Sequence, residues 1–401
     1  MTAYLNALGV ICALGRGHAA VRQTLLAGDT CGMVPREDWL DRGTSCFGMV
    51  DAVLPEVADV LPQSLPGFKA HDSRNNRLLL AAAQDIEADI RAAIARYGAH
   101  RVGVVLGTST SGILESEPAI EAYTRHEPLP ASYAYPRQAL NAPARFLSDW
   151  LGLAGPAYVI STACTSSAKA LASARRLLNM GLCDVVLCGG VDTLCRLTAN
   201  GFASLEAISE TRSNPFSANR TGINLGEAAA LFLMSREPAE VALLGTGAGS
   251  DAHHMSSPDP TGAGAVRSMR AALLDAGLSP ADIGYLNLHG TGTVHNDAME
   301  SLAVAEVFGC QLPCSSTKPL SGHTLGAAGA LEAAFCWLTL SGNPGGRVPP
   351  HVWDGIADPA LPSLNLARPA ARLPDTPRRY VLSNSFAFGG NNASLILGTP
   401  A

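Results

Sequence analysis

One stretch constrains this chain more than any other: Val159-Ile160-Ser161-Thr162-Ala163-Cys164-Thr165-Ser166-Ser167. A β-branched run enters a turn of small residues that holds one cysteine. Residues 168–180, rich in Ala, Leu, Lys and Arg, then read as a helix stopped by Gly181. Strand, tight turn and helix in that order are the building unit of an α/β sheet. The turn puts Cys164 at a helix N-terminus, where unpaired N–H groups and the positive end of the dipole favour the thiolate, the nucleophilic form. A cysteine taken at random is more often an inert core residue, so the decision rests on what else the chain supplies.

The same alternation runs through the sequence. Residues 4–14 read as a first core strand: no basic residue precedes them, Arg16 follows, and the run is too short to span a bilayer or to match a signal peptide. Further strands are expected over 101–107, 184–189, 227–234, 241–247, 283–288, 312–317, 378–383 and 393–397. Helices are expected over 18–27, 78–97, 142–152, 265–276, 298–308 and 326–340. Residues 113–140, with prolines at 118, 128, 130 and 136, read as a surface excursion. At 401 residues and 47% hydrophobic content the chain can fill two domains or one duplicated fold. The halves 1–240 and 241–401 resemble each other in layout. Each has an apolar strand that ends in a reactive residue and leads to a helix, Cys164 in the first and His289 in the second. No internal repeat aligns and no linker separates the halves, so one continuous core is expected.

A net charge of −6 gives no footprint for nucleic acid. An acidic partner would need a local basic patch; Lys69, Arg74 and Arg77 supply one candidate, with an ordinary solvated face as the alternative. Ten cysteines without a CxxC pair support neither a zinc knuckle nor a thioredoxin motif, and suit a reducing cytoplasm. No run reaches membrane-spanning length.

Three further stretches sit at expected turns, where ligands gather in α/β sheets. They are residues 288–293 with His289, residues 315–329 with Lys318 and His323, and residues 384–392. A Cys–His pair can serve a hydrolase. Both histidines, however, lie among glycines and small residues, which let a ligand approach closely. Two neutral imidazoles can each donate a hydrogen bond to one carbonyl oxygen and so stabilise an enolate, the intermediate of a decarboxylation. Lys318, five residues before His323, could orient that histidine. The glycine-rich residues 245–249 lack a complete dinucleotide fingerprint, and His253-His254 has no third metal ligand at a convincing spacing. No metal is expected.

Thr162 to Ser167, His289 to Thr293, Lys318 with Gly322-His323, and Asn384 to Gly390 together resemble the motif set of the β-ketoacyl-acyl carrier protein synthases, in the family's order and across nearly the whole chain. The resemblance implies a thiolase-like duplicated α/β fold in five αβαβα layers, working as a homodimer or as a heterodimer with a related synthase or chain length factor. It implies decarboxylative Claisen condensation in fatty acid, aryl polyene or polyketide-type elongation. Substrates would arrive on the phosphopantetheine arm of acyl carrier protein, with no other cofactor.

Carried over, Cys164 is the acyl-accepting nucleophile, and His289 and His323 polarise the malonyl thioester. Lys318 supports the second histidine, with Glu332 as its partner. Phe388 is the gate whose N–H, with that of Cys164, forms an oxyanion hole. Thr291 and Thr293 hold pantetheine, while Phe386, Gly389 and Gly390 line the substrate path. Asp297, Glu300 and Asn384 support from behind. Thr110 falls at the acyl-pocket floor, where a bulky aliphatic is usual. Ala387 and Asn391 depart from the usual Gly and Thr of the gate, and Val294-His295 replaces a pair containing proline. Residues 216–230 are similar to synthases from aryl polyene clusters. The alternatives are a catalytically silent chain-length-setting subunit, a degradative thiolase, which needs a second catalytic cysteine, and the active half of a heterodimer.

Overall fold

The computed structural model describes residues 2–400. Ten strands carry the architecture. The first five are β1 (Ala3–Cys12), β2 (Val102–Gly107), β3 (Ala157–Ile160), β4 (Val185–Asp192) and β5 (Ala228–Ser235). They lie in the order β3-β2-β4-β5-β1; β2 is parallel to β3 and β4, and β5 is antiparallel to both of its neighbours. The next five are β6 (Ala242–Ser250), β7 (Ile283–Asn287), β8 (Cys314–Ser315), β9 (Tyr380–Ala387) and β10 (Asn391–Gly398). Their order, β8-β7-β9-β10-β6, repeats the first with every index raised by five, and every strand direction repeats with it. The two sheets join edge to edge where Ala3 and Tyr4 of β1 pair with Leu243 and Ala242 of β6. A duplication invisible as sequence identity is therefore explicit as topology.

Side-chain direction alternates with period two along strands buried on both faces and sorts the core into layers. Val104 and Leu106 of β2, and Val185 and Leu187 of β4, pack outward with helices α1 (Arg74–Gln84), α2 (Glu87–Tyr97) and α3 (Ala142–Leu151). Val105, Val186 and Cys188 face the other way, toward α4 (Ser166–Asn179) and α7 (Ala328–Leu340). Leu382 of β9 and Ile396 of β10 face α5 (Ala263–Ala276) and α6 (Val294–Phe308). The result is helices, sheet, helix pair, sheet, helices: the five αβαβα layers. The central α7 is buried on every side, as its sequence of small residues and leucines requires. It meets α4 at Gly329, where an added Cβ would lie 2.7 Å from the Cβ of Ala168.

The expected elements differ from the observed ones in instructive places. The helix expected over 78–97 is two helices, broken at Ile86, whose backbone (φ −124, ψ 17) is not helical. The strand expected over 312–317 keeps only its middle two residues, because Pro313 precedes it without an N–H and Thr317 begins the turn into Lys318. Residues 384–392 are mostly strand: β9 runs to Ala387 and pairs it with Asn391, leaving a turn of three residues. The glycines of 245–249 lie inside β6.

The correspondence between halves also shifts. Cys164 follows β3 and precedes α4. Its topological counterpart is the stretch after β8 and before α7, which holds His323 and not His289.

Candidate active site

Cys164 sits in the turn between β3 and α4, next to Thr165, the residue that precedes the helix. Ala163 adopts a left-handed backbone (φ 53), a costly choice for a residue with a side chain. Side chains of the first helical turn hold the bend. Ser166 Oγ accepts from Thr162 N–H (2.9 Å) and donates to Ala163 C=O (2.5 Å), and Ser167 Oγ accepts from Ala330 N–H of α7 (2.8 Å). The beginnings of α4 and α7 are thus tied together, and with them the cysteine and the His323 loop.

His323 Nε2 lies 3.0 Å from Cys164 Sγ. Its other nitrogen, Nδ1, accepts the backbone N–H of Leu325 (3.2 Å). A neutral imidazole with Nδ1 occupied as acceptor carries its proton on Nε2. That proton faces the sulfur, so His323 is a donor to it and not a base for it. Burial, with Lys318 second, holds the His323 pKa well below its usual value and keeps the ring neutral.

His289 follows the same logic. It lies two residues beyond β7, with its ring 5.3 Å from the His323 ring and 5.9 Å from the Phe386 ring, edge-on to both. Lys318 Nζ reaches His289 Nδ1 (3.3 Å) and also the His289 carbonyl. Burial first, then Lys318, depresses the His289 pKa well below the usual range. The remaining proton is on Nε2. Lys318 therefore bonds His289 and not His323, the nearer in sequence, which feels only its charge. Behind it, Lys318 Nζ meets Glu332 Oε1 at 2.5 Å, with both residues buried.

One nitrogen of each imidazole and the sulfur lie within 4.8 Å of one another. Atom types alone would suit a soft cation there. The ammonium at His289 Nδ1 and the Leu325 N–H at His323 Nδ1 instead leave the inward nitrogens protonated, so the arrangement is one of hydrogen-bond donors around a thiol. Burial pushes the Cys164 thiol up to about 12, outweighing the lowering effects of Lys318 and its own backbone N–H. The resting residue is a thiol, where its place beside a helix start led to the expectation of a thiolate.

The expected supporting carboxylates are in place. Glu300 accepts the N–H groups of His289 (2.8 Å) and Gly290 (2.7 Å), and Asn384 Nδ2 reaches it at 3.3 Å. Asp297 accepts the N–H groups of Phe216 (2.8 Å) and Gly292 (3.2 Å). Burial raises Glu300 to about 7.

A cavity of about 430 Å³ opens onto this centre, lined at its base by Cys164, His289, His323 and Phe386, and on its walls by Thr291 and Thr293. The two threonine hydroxyls are bonded to each other at 2.9 Å. Phe388 stands at the mouth, part-exposed, with its ring 5.5 Å from Phe202. Gly389 (φ 78) and Gly390 (φ 70) shape the gate turn and stay off the cavity wall. Ala387 has extended backbone, which accepts alanine without strain. His295 lines the outer wall at the start of α6.

Two expectations change, and the reading of His253-His254 stands. Thr110 does not line the cavity: its N–H and its hydroxyl both donate to Asp192 (2.8 Å each). Lys69, Arg74 and Arg77 are engaged internally, with Ala131 C=O, with Glu227, and with Glu56 and Asp72, which argues against a free basic patch. His253 and His254 are exposed loop residues. Sequence reading missed Asp192, Phe202 and Lys169, the last of which donates from α4 to Asn391 beside the gate (2.6 Å). An acid ending the apolar run 185–192 was the one available cue.

A buried cysteine at a helix start, faced by two imidazoles across a duplicated sheet, defines a thiolase-like ketosynthase. The chain belongs to the β-ketoacyl synthase family: the family's N-terminal domain matches residues 6–239 and its C-terminal domain residues 241–352. A 3-oxoacyl-[acyl-carrier-protein] synthase 2 of Rhizobium meliloti (strain 1021) is 36% identical over 74% of this chain and 73% of its own length. Nodulation protein E of Rhizobium leguminosarum bv. trifolii is 32% identical over 98% of this chain and 97% of its own. Among solved structures, the ketosynthase (ApeO) in complex with its chain length factor (ApeC) from Xenorhabdus doucetiae has a TM-score of 0.92 at 46% identity, covering 100% of this chain and 98% of that one. No helix among the described residues is long and apolar enough to cross a membrane.

Proposed function

We propose that the protein catalyses decarboxylative Claisen condensation between an acyl chain on Cys164 and malonyl-acyl carrier protein. The observation that carries this reading is the donor at each Nδ1, the Lys318 ammonium on His289 and the Leu325 N–H on His323, which leaves Nε2 as the protonated nitrogen of both rings, beside the Cys164 sulfur. In the first step Cys164 Sγ attacks the thioester carbonyl of an acyl-carrier protein. The S–C bond to pantetheine breaks, the acyl–Cys164 bond forms, and the thiol proton leaves with the released pantetheine sulfur. The N–H groups of Cys164 and Phe388 steady the tetrahedral oxyanion. Malonyl-acyl carrier protein then enters along Thr291 and Thr293. The bond to its carboxylate breaks, carbon dioxide departs, and the enolate oxygen accepts the two Nε2–H bonds. The enolate carbon attacks the acyl carbonyl, the bond to Cys164 Sγ breaks, and 3-oxoacyl-acyl carrier protein is released while the sulfur leaves as thiolate and takes a proton from solvent. Neutral imidazoles suit this role, because they donate without needing to take a proton.

The chain supplies every group the reaction uses, and the acyl groups arrive on the carrier's arm; no bound cofactor is required. Likeness to a ketosynthase solved with its chain length factor favours a second point: this chain is the active half of a heterodimer, since it retains Cys164. Aryl polyene elongation is the pathway we favour, and ten free cysteines fit a cytoplasmic setting. The test is reconstitution with acyl- and malonyl-carrier protein, following carbon dioxide and the 3-oxoacyl product, with and without a chain length factor. Cys164→Ala is expected to abolish condensation. Full product formation by that variant would refute the mechanism.

A further inference from the structure

Asp192 ends β4, fully buried, and its carboxylate gathers six donors from two loops. From the loop after β2 come Thr108 Oγ1 (2.6 Å), Ser109 N–H (2.8 Å), Thr110 N–H (2.8 Å) and Thr110 Oγ1 (2.8 Å). From the loop before α7 come Gly326 N–H (2.6 Å) and Ala327 N–H (3.2 Å). No cation pairs with it among the described residues. A buried carboxylate without a counter-ion is expensive unless hydrogen bonds replace its water, and here Gly326 and Ala327 also stand directly before the N-terminus of α7, the positive end of its dipole. The backbone makes room for this contact. Gly326 has no space for a side chain, since a Cβ there would lie 2.8 Å from Asp192 Oδ2 and 2.7 Å from Ser109 Oγ. Gly190, two residues before Asp192, lets Ala327 approach, for a Cβ there would lie 3.1 Å from Ala327 Cα.

The neighbouring residue is Leu325. It holds a left-handed backbone (φ 53), and its N–H fixes His323 Nδ1. Nothing about leucine favours that conformation; the bonds immediately after it do.

We propose that Asp192 is a positioning residue for the reaction: by pinning Gly326 and Ala327 it holds Leu325 in place, and so sets the tautomer and aim of the His323 imidazole at Cys164. The carboxylate belongs to the first half of the fold and the loop to the second, so Asp192 is the clasp that brings a thiol from one half and its hydrogen-bond donor from the other into register. The inference rests on Cys164 and His323 working as a pair, not on the condensation chemistry, and it is tested apart from it.

The probe is iodoacetamide. The alkylation rate of the Cys164 peptide, read by mass spectrometry so that exposed Cys31 does not contribute, is followed against pH. The charged or titratable groups around the sulfur are His323, His289, Lys318, Glu332 and Asp192. Asp192→Asn removes both the clasp and a negative charge. Gly326→Ala spreads the clasp and keeps the charge. If Asp192 acts through His323, losing the aimed Nε2–H destabilises the thiolate. Both variants then alkylate roughly tenfold more slowly per reactive molecule across about pH 7 to 9, the effect of about one unit on the thiol. A purely electrostatic role predicts the reverse pattern: Asp192→Asn alkylates faster and Gly326→Ala is unchanged. A purely structural role reduces the alkylatable fraction without changing the rate. Either of those outcomes overturns the proposal, and should Asp192→Asn fail to fold, Gly326→Ala decides alone.

Discussion

Replacing Lys318 by methionine keeps most of the unbranched side chain and removes its ammonium. Glu332 is then left buried with no partner, for Lys318 is the one hydrogen-bond partner of its carboxylate among the described residues. Breaking a buried pair from one side costs about 3–5 kcal/mol, but this carboxyl has an escape. Burial already raises its pKa, and without Lys318 it rises further, so the folded variant takes up a proton. The sign follows from linkage. Between the ordinary carboxyl pKa and the raised one, the native state binds more protons than the unfolded chain, so stability falls as pH rises, by at most about 1.4 kcal/mol per unit. The penalty of Lys318→Met is therefore smaller at pH 5 than at pH 8. Urea denaturation of wild type and variant at both pH values measures it, and groups common to both proteins cancel in the difference. Adding Glu332→Leu to Lys318→Met exchanges the pair for apolar residues and should recover most of the stability, as buried pairs replaced whole commonly do. It should not recover condensation, because His289 Nδ1 still lacks its donor. A double variant as unstable as the single one, or a penalty flat in pH, refutes the reasoning.

Two smaller tests address the cavity. Thr291→Val removes a wall hydroxyl while keeping the shape, so KM for malonyl-carrier protein should rise severalfold with kcat little changed, measured by steady-state condensation. Gly390→Ala puts a Cβ 2.9 Å from that of Asp251 at a backbone φ of 70. The strain, of order 1–3 kcal/mol, falls on the gate turn, and acylation of Cys164, followed by mass spectrometry, should slow well before the melting temperature drops far.

Much of the centre was legible in the sequence because chemistry and conformation are written in the same residues. Cys164 and the two histidines sit among small residues, since only small residues allow such turns, and the continuous apolar runs of β2 and β4 announce strands buried on both faces. What was not legible depends on approach between distant segments. Lys318 is five residues from His323 and twenty-nine from His289, yet its ammonium meets the latter, because the chain turns at once after β8 and sends the long side chain back past β7. Asp192 is silent as a motif: four of its six donors are backbone N–H groups, which carry no side-chain signature. Thr110 looked like pocket because its position in the chain suggested it, whereas its hydroxyl is occupied by that same carboxylate. The equivalence of the Cys164 and His323 turns was hidden as well, since the duplication survives in strand order and not in residues.

That equivalence has a mechanical consequence. The sulfur and the imidazole ride at the starts of two twin helices that touch at Gly329 and Ala168. A side chain on Gly329 has no room there and would push the two helix starts apart, and the sulfur and its hydrogen-bond donor with them. The distance between the acyl-bearing atom and that donor is therefore gauged by a single hydrogen atom, buried between the sheets.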